Sequence, residues 1–222
     1  MIIRDKNSIM EALRGGRRVD AVRFFAHPES DPRLQQIADE AHRLNVRTSM
    51  NTHMKDAKGK NRMESTVEAE MEDFRYTDIE DITAAALKAG NYAQIIALDH
   101  IQDPRNLGAI LRSAAAAGAQ GAIIQAKRCC PVTAVAYETS SGGAEHIPVA
   151  MVTNLATTLR QLKDDGFWAV GADERAEKTV YESDLRMPLV WVLGTEGRGL
   201  HRLVRECCDF LVKVPTRRAS RV

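Results

Sequence analysis

The chain has 222 residues, of which 44% are hydrophobic and 27% charged, so it is long enough to bury a sizeable core in one or two domains. The formal net charge is only +1, which excludes a globally basic nucleic-acid-binding protein and leaves only local basic surfaces. No apolar run approaches the roughly 20 residues of a membrane helix, and the start of the chain lacks a signal-peptide core. We therefore expect a cytoplasmic protein that does not contact a membrane.

The four cysteines form two adjacent pairs without CxxC spacing, and the six histidines are scattered along the chain. Metal sites usually bring such ligands together at short, regular spacings. We therefore predict no metal site, and we interpret the cysteines as reduced thiols.

The first third of the chain alternates between predicted helices and strands, which is typical of a small α/β domain. The alternation of Val67, Ala69 and Met71 predicts the last strand of this domain, and its boundary falls near Asp73 to Ile79. The other predicted elements are a helix from a Ser8 cap to Leu13, a strand at Ala21 to Ala26, a helix opened by Asp31-Pro32, a strand at Val46 to Met50 and a helix at Asp81 to Ala89.

The segment from Lys55 to Met63 (KDAKGKNRM) is polar and basic. It has two interpretations, a mobile surface loop or a loop that contacts RNA. The second follows from the pairing of lysine and arginine side chains with phosphates.

From Gln94 onward, short apolar runs alternate with helical patterns, which predicts an α/β fold with a mostly parallel sheet. The predicted strands are Gln94 to Leu98, Gly121 to Gln125, Ile147 to Val152, Phe167 to Gly171, Leu189 to Leu193 and Phe210 to Val214. The predicted helices run from about Asn106 to Ala117, from Pro131 to Thr139, from an Asn154 cap onward and from Leu200 to Cys207.

Two polar segments follow predicted strands and are the candidate functional sites. In Leu98 to Gly118, a strand leads through a loop with Asp99 into a helix that carries Asn106 and Arg112. Open α/β sheets usually bind ligands at such strand ends. From these residues alone, Arg112 is as readily a structural partner of Asp99 or Asp103.

The second segment, GTEGRG from Gly194 to Gly199, directly follows the strand LVWVL. Its glycines either form a structural turn or let backbone N–H groups approach a ligand. Glu196 either favours the N-terminus of the following helix or lies beside that ligand. The glycine order differs from GxGxxG, which disfavours a nucleotide-dependent oxidoreductase, one alternative function.

These two segments resemble the motifs of the SpoU/TrmH family of RNA ribose 2′-O-methyltransferases, within the SPOUT superfamily of knotted enzymes. The pattern DPxNxGAxxR stands here as Asp103 to Arg112, and a strand followed by GxEGxG stands as Leu193 to Leu200. Val214-Pro215 matches the start of a third motif. Within the family, the chain is most similar to bacterial 23S rRNA (guanosine-2′-O-)-methyltransferases.

The resemblance implies an α/β fold with a small substrate-binding domain at residues 1–75, a linker and packing helix at 76–90, and a methyltransferase domain at 91–222. That domain is expected to have a Rossmann-like, mostly parallel sheet and a trefoil knot, whose completeness is open. The resemblance also implies a homodimer that acts on RNA, most specifically ribosomal RNA.

S-adenosylmethionine is the cofactor that the resemblance implies. Arg112 would then assist deprotonation of the ribose 2′-hydroxyl or stabilise the alkoxide, Asn106 would orient the loop or the ribose, and Glu196 would position Asn106 or Arg112. The residues that the resemblance assigns to the cofactor are Leu193, Gly194, Thr195, Glu196, Gly197, Val214 and Pro215.

The third motif departs from the family pattern after Pro215. Thr216-Arg217-Arg218 follows where the family has a glycine, and the family's serine and asparagine have no counterpart before Val222. We therefore expect this chain to bind S-adenosylmethionine weakly or not at all. The alternative function is that of an RNA-binding, catalytically impaired or truncated member of the same family.

Overall fold

A computed structural model of the chain describes residues 1–51 and 65–215. The chain divides into two compact units. Unit 1 contains Met1–Arg75, Pro104–Ala115 and Val132–His146, and unit 2 contains Tyr76–Asp103, Ala116–Pro131 and the residues from Ile147 on. The basic segment 55–63 and residues 216–222 lie outside the described residues. The boundaries of the three expected segments, 1–75, 76–90 and 91–222, stay predictions.

Helices and strands alternate along most of the described chain. The strands are β1 Ile2–Ile3, β2 Val19–Phe24, β3 Arg47–Met50, β4 Val67–Met71, β5 Gln94–Leu98, β6 Gly121–Gln125, β7 Val149–Val152, β8 Trp168–Ala172, β9 Leu189–Leu193 and β10 Phe210–Val212. The α-helices are α1 Lys6–Arg14, α2 Pro32–Arg43, α3 Ile79–Leu87, α4 Pro104–Ala116, α5 Ala134–Thr139, α6 Leu155–Asp164 and α7 Arg202–Cys207. None of the described helices is both long and apolar enough to cross a membrane.

Unit 1 contains a four-stranded mixed sheet with the strand order β1-β4-β2-β3. Strand β4 is antiparallel to β1 and β2, whereas β3 is parallel to β2. The alternating apolar residues of β4, Val67, Ala69 and Met71, are all buried, as their spacing predicts. The small α/β arrangement expected for the first third of the chain is therefore present.

The helix caps of unit 1 are predicted correctly in one helix and wrongly in another. The Asp31 carboxylate caps α2 by accepting from the backbone N–H of Arg33, and Pro32 occupies the first turn. Helix α1 is capped by Asp5 instead of Ser8 and begins two residues earlier than the predicted cap. The Asp5 carboxylate accepts from both the backbone N–H and the hydroxyl of Ser8 at 2.8 Å, and Ser8 is buried inside the helix.

Unit 2 contains a six-stranded sheet with the order β10-β8-β9-β5-β6-β7, and every neighbouring pair is parallel. The chain runs from β5 outward through β6 to β7, and then crosses to the opposite side of β5. Because all strands are parallel, their carboxyl ends share one edge of the sheet. The change of direction between β5 and β9 is where such sheets form a crevice for ligands.

The core of unit 2 lies between the sheet and its helices. Ile95, Ile123 and Val190 of the sheet are at most 1% exposed, and Ile82 of α3 and Leu159 of α6 pack into the same cluster. Burial of each such side chain contributes roughly 1.5–3 kcal/mol to the free energy of unfolding. This core fixes the strands whose ends carry the polar segments.

Candidate functional site

The segment GTEGRG forms a closed turn after β9. The backbone N–H of Thr195 donates to the carbonyl of Gly199 at 3.1 Å, and the N–H of Gly199 donates back at 2.9 Å. A Cβ atom on Gly194 would overlap the backbone of Gly199, so this approach requires glycine. Gly197 and Gly199 have φ values of 82° and 68°, a region that glycine enters without strain. The glycine pattern therefore has a structural explanation in the turn itself.

A cleft of about 490 Å³ lies on one side of this turn, and we call it cleft 1. Its opposite wall is the segment that follows β8. The Asp173 carboxylate there accepts from Arg205 Nε at 3.1 Å and from the backbone N–H of Arg175 at 2.9 Å. The residues that line cleft 1 are Ala172, Asp173, Glu174, Arg175, Leu193, Gly194, Thr195, Gly197, Arg198, Gly199, Leu200, Arg202 and Arg205.

A second cleft of about 600 Å³, cleft 2, is lined by the residues after β5 and by the same turn. Thr195, Arg198 and Arg202 line both clefts, so the turn is the wall between them. The residues that line cleft 2 are Asp99, His100, Gln102, Thr195, Glu196, Arg198, Gly199, Leu200, His201 and Arg202. Both clefts lie at the carboxyl edge of the parallel sheet.

Asp99 directly follows β5 and connects it to the end of β6 and to the segment after the glycine turn. Its side chain is only 1% exposed. Its Oδ1 atom accepts from His100 Nδ1 at 2.5 Å and from Gln125 Nε2 at 3.0 Å, and Oδ2 accepts from the backbone N–H of His201 at 2.6 Å. A buried carboxylate is stable only when its oxygens are hydrogen-bonded in this way. Asp99 thus holds the end of the glycine turn to β5 and β6.

Four of the residues that the resemblance assigns to the cofactor meet at cleft 1. These are Leu193, Gly194, Thr195 and Gly197, whereas Glu196 is exposed and lines cleft 2. Val214 and Pro215 line neither of these two clefts, and Val214 is 63% exposed. Their part in cofactor binding therefore stays a prediction.

Asn106 and Arg112 both lie on helix α4 of unit 1, and both are exposed. They are six residues apart, or about 1.7 turns, so they point in different directions around the helix. Within the described parts of the chain, 1–51 and 65–215, Arg112 forms no ion pair. The interpretation of Arg112 as a structural partner of Asp99 or Asp103 gains no support.

The backbone of α4 is held at close range by unit 1. A Cβ atom on Gly108 would overlap the carbonyl of Ala136 in α5. A Cβ atom on Gly143 would lie 2.7 Å from Cα of Arg112, closer than real Cβ atoms come. Gly108 and Gly143 allow close contacts between α4 and the neighbouring segments. These contacts determine the position of the Arg112 backbone, from which the exposed side chain extends.

A buried polar network anchors the segment that contains Gly143. Tyr137 Oη donates to Glu145 Oε1 at 2.6 Å, and Arg17 Nε donates to the same oxygen at 2.8 Å. Arg17 also lies 4.7 Å above the ring centre of Phe74. Burial, together with the Glu145 carboxylate, raises the pKa of Tyr137 far above its usual value. The phenol therefore stays a donor to Glu145 at physiological pH.

Several residues of the site have no counterpart in the sequence-based assignments. His100 and His201 line cleft 2, although they are 101 positions apart and share no motif. Asp173 directly follows β8, so the rule that parallel strands end at one edge would have found it. Gly143 belongs to the pair Gly142-Gly143 after α5, and by itself such a pair indicates only that the helix ends.

Comparison with known proteins gives one consistent family. The model of the SpoU rRNA Methylase family matches residues 93–222. A putative TrmH family tRNA/rRNA methyltransferase of Bacillus subtilis is 35% identical over 210 residues, which cover 95% of this chain and 84% of the relative.

Two solved structures share the fold over almost the whole chain. The SpoU methyltransferase AviRb of Streptomyces viridochromogenes, solved in complex with S-adenosylmethionine, has a TM-score of 0.77 and 19% identity, covering 100% of this chain and 83% of its own. A protein described as an RNA 2′-O ribose methyltransferase has a TM-score of 0.72 and 21% identity, covering 98% and 80%.

The fold likeness confirms the predicted α/β class with a parallel sheet, whereas the knot stays a prediction. The family model covers more than half of the chain, and the Bacillus relative is similar over most of its length. Both agree with the resemblance of the two motifs. They favour a methyltransferase over the nucleotide-dependent oxidoreductase. The chain therefore belongs to the SpoU rRNA Methylase family.

Proposed function

We propose that this chain transfers a methyl group from S-adenosylmethionine to a ribose 2′-hydroxyl of RNA, and that the RNA is ribosomal. The observation that carries the proposal is the glycine turn after β9, which forms a wall of cleft 1 at the carboxyl edge of the sheet. Family membership supports methyl transfer to RNA. The ribose as acceptor is supported by the motif from Asp103 to Arg112 and by the activity of a fold relative.

The chemistry of cleft 1 fits S-adenosylmethionine. Its volume of about 490 Å³ is within the usual range for cofactor sites. A Cβ at Gly194 would overlap the turn, so the wall there is bare backbone that a ligand can approach closely. Asp173 and Glu174 suit the ammonium and ribose hydroxyl groups of the cofactor.

S-adenosylmethionine, when bound, supplies an electrophilic methyl group on a sulfonium. The chain's own residues have to make a ribose hydroxyl reactive, because a neutral hydroxyl is a poor nucleophile. Arg112 presents an exposed guanidinium that forms no ion pair within residues 1–51 and 65–215. It assists the loss of the 2′-hydroxyl proton to solvent, or it stabilises the negative charge that develops on the 2′-oxygen as the methyl group is transferred. Asn106 orients the ribose by hydrogen bonds, and Glu196 is the third residue that we propose for catalysis.

The proposal also assigns a role to each segment of the chain and an oligomeric state to the enzyme. Residues 1–75 bind the RNA substrate, 76–90 link and pack, and 91–222 carry the transfer. Val214 and Pro215 complete the cofactor contacts of the turn. The enzyme acts as a homodimer. Size-exclusion chromatography with light scattering tests the last point, since a monomeric mass at micromolar concentration contradicts it.

The proposed activity is tested by incubating the chain with methyl-labelled S-adenosylmethionine and unmodified ribosomal RNA, with transfer RNA in a parallel reaction. The labelled RNA is then hydrolysed with alkali. A 2′-O-methyl group removes the hydroxyl that attacks the next phosphate, so the expected label stays in alkali-stable dinucleotides. Label in single nucleotides contradicts ribose methylation. Label only in transfer RNA contradicts ribosomal RNA as the substrate.

A catalytically inactive RNA-binding protein is distinguished in the same experiment. Filter binding of the same RNA is measured beside the transfer reaction. Binding without any incorporated label, at cofactor concentrations up to several millimolar, contradicts the proposed transfer.

A further inference from the structure

We propose that cleft 2 binds one nucleotide of the RNA substrate, with its base stacked on the His201 ring and its phosphate near Arg198. The inference rests on the proposed function, because it names where the RNA of that reaction is held. It starts from the cluster of Asp99, His100 and His201, which neither motif contains.

The first step is the fixed orientation of the His100 ring. Its Nδ1 atom lies 2.5 Å from Oδ1 of the buried Asp99, which is hydrogen-bonding distance. Asp99 is itself held by Gln125 and by the backbone of residue 201. The His100 ring is therefore oriented by Asp99, which is itself held to β6 and to the segment after the glycine turn.

The second step is the unusual backbone of His100. Its φ value is 62°, in the left-handed region that residues with a Cβ rarely adopt. Such strain persists only where the surroundings determine it, and it concentrates at functional positions. In this conformation, the ring of His100 lies against that of His201.

The third step is the stack itself. The two imidazole rings are nearly parallel, with an interplanar angle of 16° and a centroid separation of 5.2 Å. His100 is half-buried, whereas His201 is exposed at the wall of cleft 2. A fixed lower ring and an exposed upper ring form a platform that a flat ligand extends. Proteins that recognise RNA commonly stack unpaired bases on histidine and other aromatic rings.

Two arginine side chains bring positive charge to cleft 2. Arg198 and Arg202 line the cleft, and Arg202 is paired with Glu206 at 2.7 Å. Arg198 is exposed and forms no ion pair within residues 1–51 and 65–215, so its guanidinium is available for a phosphate. A platform for a base beside a free cation fits a nucleotide better than an uncharged ligand.

A direct test observes the histidine rings by NMR while ribonucleoside 5′-monophosphates (AMP, GMP, CMP and UMP) are added separately to the full chain. We expect the ring protons of His201 to shift in a saturable way with at least one of them. Ring protons that stay unchanged with all four overturn the inference. A larger His201 shift with S-adenosylmethionine alone also overturns it, because cleft 2 would then hold the cofactor.

Substitutions test the same inference during methyl transfer. We expect His201→Ala to raise KM for RNA about tenfold, the size of one stacking contact, with kcat and cofactor affinity unchanged. His201→Phe keeps a flat ring and restores KM to within about threefold of the original chain. An equal loss in both variants contradicts stacking.

His100→Gly removes the lower ring and suits the left-handed backbone, so the chain is expected to fold. We expect a smaller rise in KM for RNA than in His201→Ala, since only the support of the platform is lost. The matched control is Tyr92→Ala, which removes a ring that is 82% exposed just before β5, at the opposite edge of the sheet. A KM for RNA that rises equally in this control contradicts the inference.

Failure of the inference and failure of the proposed function give different results. Nucleotide-dependent NMR shifts of His201 without any methyl transfer would support the nucleotide site and contradict the proposed methyltransferase activity. Methyl transfer whose KM for RNA does not change in His201→Ala would support the proposed activity and contradict the nucleotide site in cleft 2.

Discussion

Helix α4 and the glycine turn after β9 carry the two motifs of the family, and the structure holds them in opposite ways. In the turn, the backbone is the constrained part, since Thr195 and Gly199 pair and Gly194 has no room for a side chain. In α4, the candidate catalytic side chain of Arg112 is exposed and unpaired among the described residues, and only its backbone is constrained, by Gly143.

This difference predicts how the two regions respond to substitution. A change in the turn alters the shape of cleft 1, so it affects cofactor affinity and stability together. We expect a change of the exposed Arg112 side chain on α4 to lower the rate of methyl transfer and to leave the fold intact. The predictions that follow test this distinction, from the largest expected effect to the smallest.

The largest effect is expected for Arg112→Ala. Removal of a group that stabilises transition-state charge lowers kcat by about 10²–10³-fold. The free energy of unfolding should change by less than about 0.5 kcal/mol, because the side chain is exposed and forms no ion pair in the described part of the chain. Arg160→Ala, an exposed arginine on α6, is the matched control and should keep full activity. Unchanged kcat in Arg112→Ala removes this residue from the mechanism.

The next effect is expected for Gly194→Ala. The added methyl group overlaps the backbone of Gly199, so the turn has to open, at a cost of about 1–3 kcal/mol in unfolding free energy. We expect the Kd for S-adenosylmethionine, measured by NMR titration, to rise more than about tenfold. Gly166→Ala is the control. It strains the backbone at a φ of 98° and so also destabilises the chain, but its Cβ meets open space and overlaps nothing. Equal cofactor affinity in both variants contradicts the role of the turn.

A smaller effect is expected for Gly143→Ala. Its Cβ would lie 2.7 Å from the Cα atom of Arg112, so α4 or the segment around Gly143 has to shift. We expect kcat to fall roughly tenfold, whereas the Kd for the cofactor stays constant. The control is Gly118→Ala, which strains the backbone at a φ of 77° but meets no atom within 4 Å, so it shows the effect of destabilisation without this contact. A change in cofactor Kd instead of kcat contradicts the assignment.

The smallest effect concerns alkaline pH. Burial, with Cys207 and Asp209 adding to it, raises the pKa of the Cys208 thiol from 9.0 to about 12. The unfolded thiol ionises first, so stability is complete below pH 9 and is lost as the pH rises towards 12. Tyr137, whose pKa burial also raises, acts in the same direction. Urea unfolding at pH 8 and pH 10.5 should show this loss, and Cys208→Ala should reduce it. Equal losses in both chains contradict the assignment to Cys208.

The sequence predicts the parallel sheet well, because buried strands are continuous apolar runs with clear ends. The bounds of β5, β6 and β9 agree with the predicted Gln94 to Leu98, Gly121 to Gln125 and Leu189 to Leu193. The Asn154 cap of α6 is also confirmed, since its side chain accepts from the backbone N–H of Thr157. Local chemistry alone determines these features.

Helix starts are predicted less well where two capping residues compete. Asp5 and Ser8 both suit an N-cap, and only the burial of Ser8 within unit 1 selects Asp5. The helix predicted from Pro131 begins at Ala134 instead, because Thr133 caps it through the backbone N–H of Ala136. The last strand ends at Val212 rather than Val214, because Lys213 pairs separately with Thr179.

The sequence likewise predicts one part of the candidate site and not the other. The turn residues Gly194, Thr195 and Gly197 follow from a motif and meet at cleft 1. The stack of His100 on His201 does not follow from any local pattern, because the two residues meet only through the pairing of β5 with β9. Contacts made by tertiary structure are therefore the part that the sequence leaves undetermined.

The central claim is that the turn after β9 holds the methyl donor. An amide NMR titration of the full chain with S-adenosylmethionine tests it most directly, because weak binding is also visible. We predict saturable shifts at Gly194, Thr195 and Gly197 and at Asp173 across cleft 1. Saturable shifts confined to other parts of the chain, with these four amides unmoved, would contradict it.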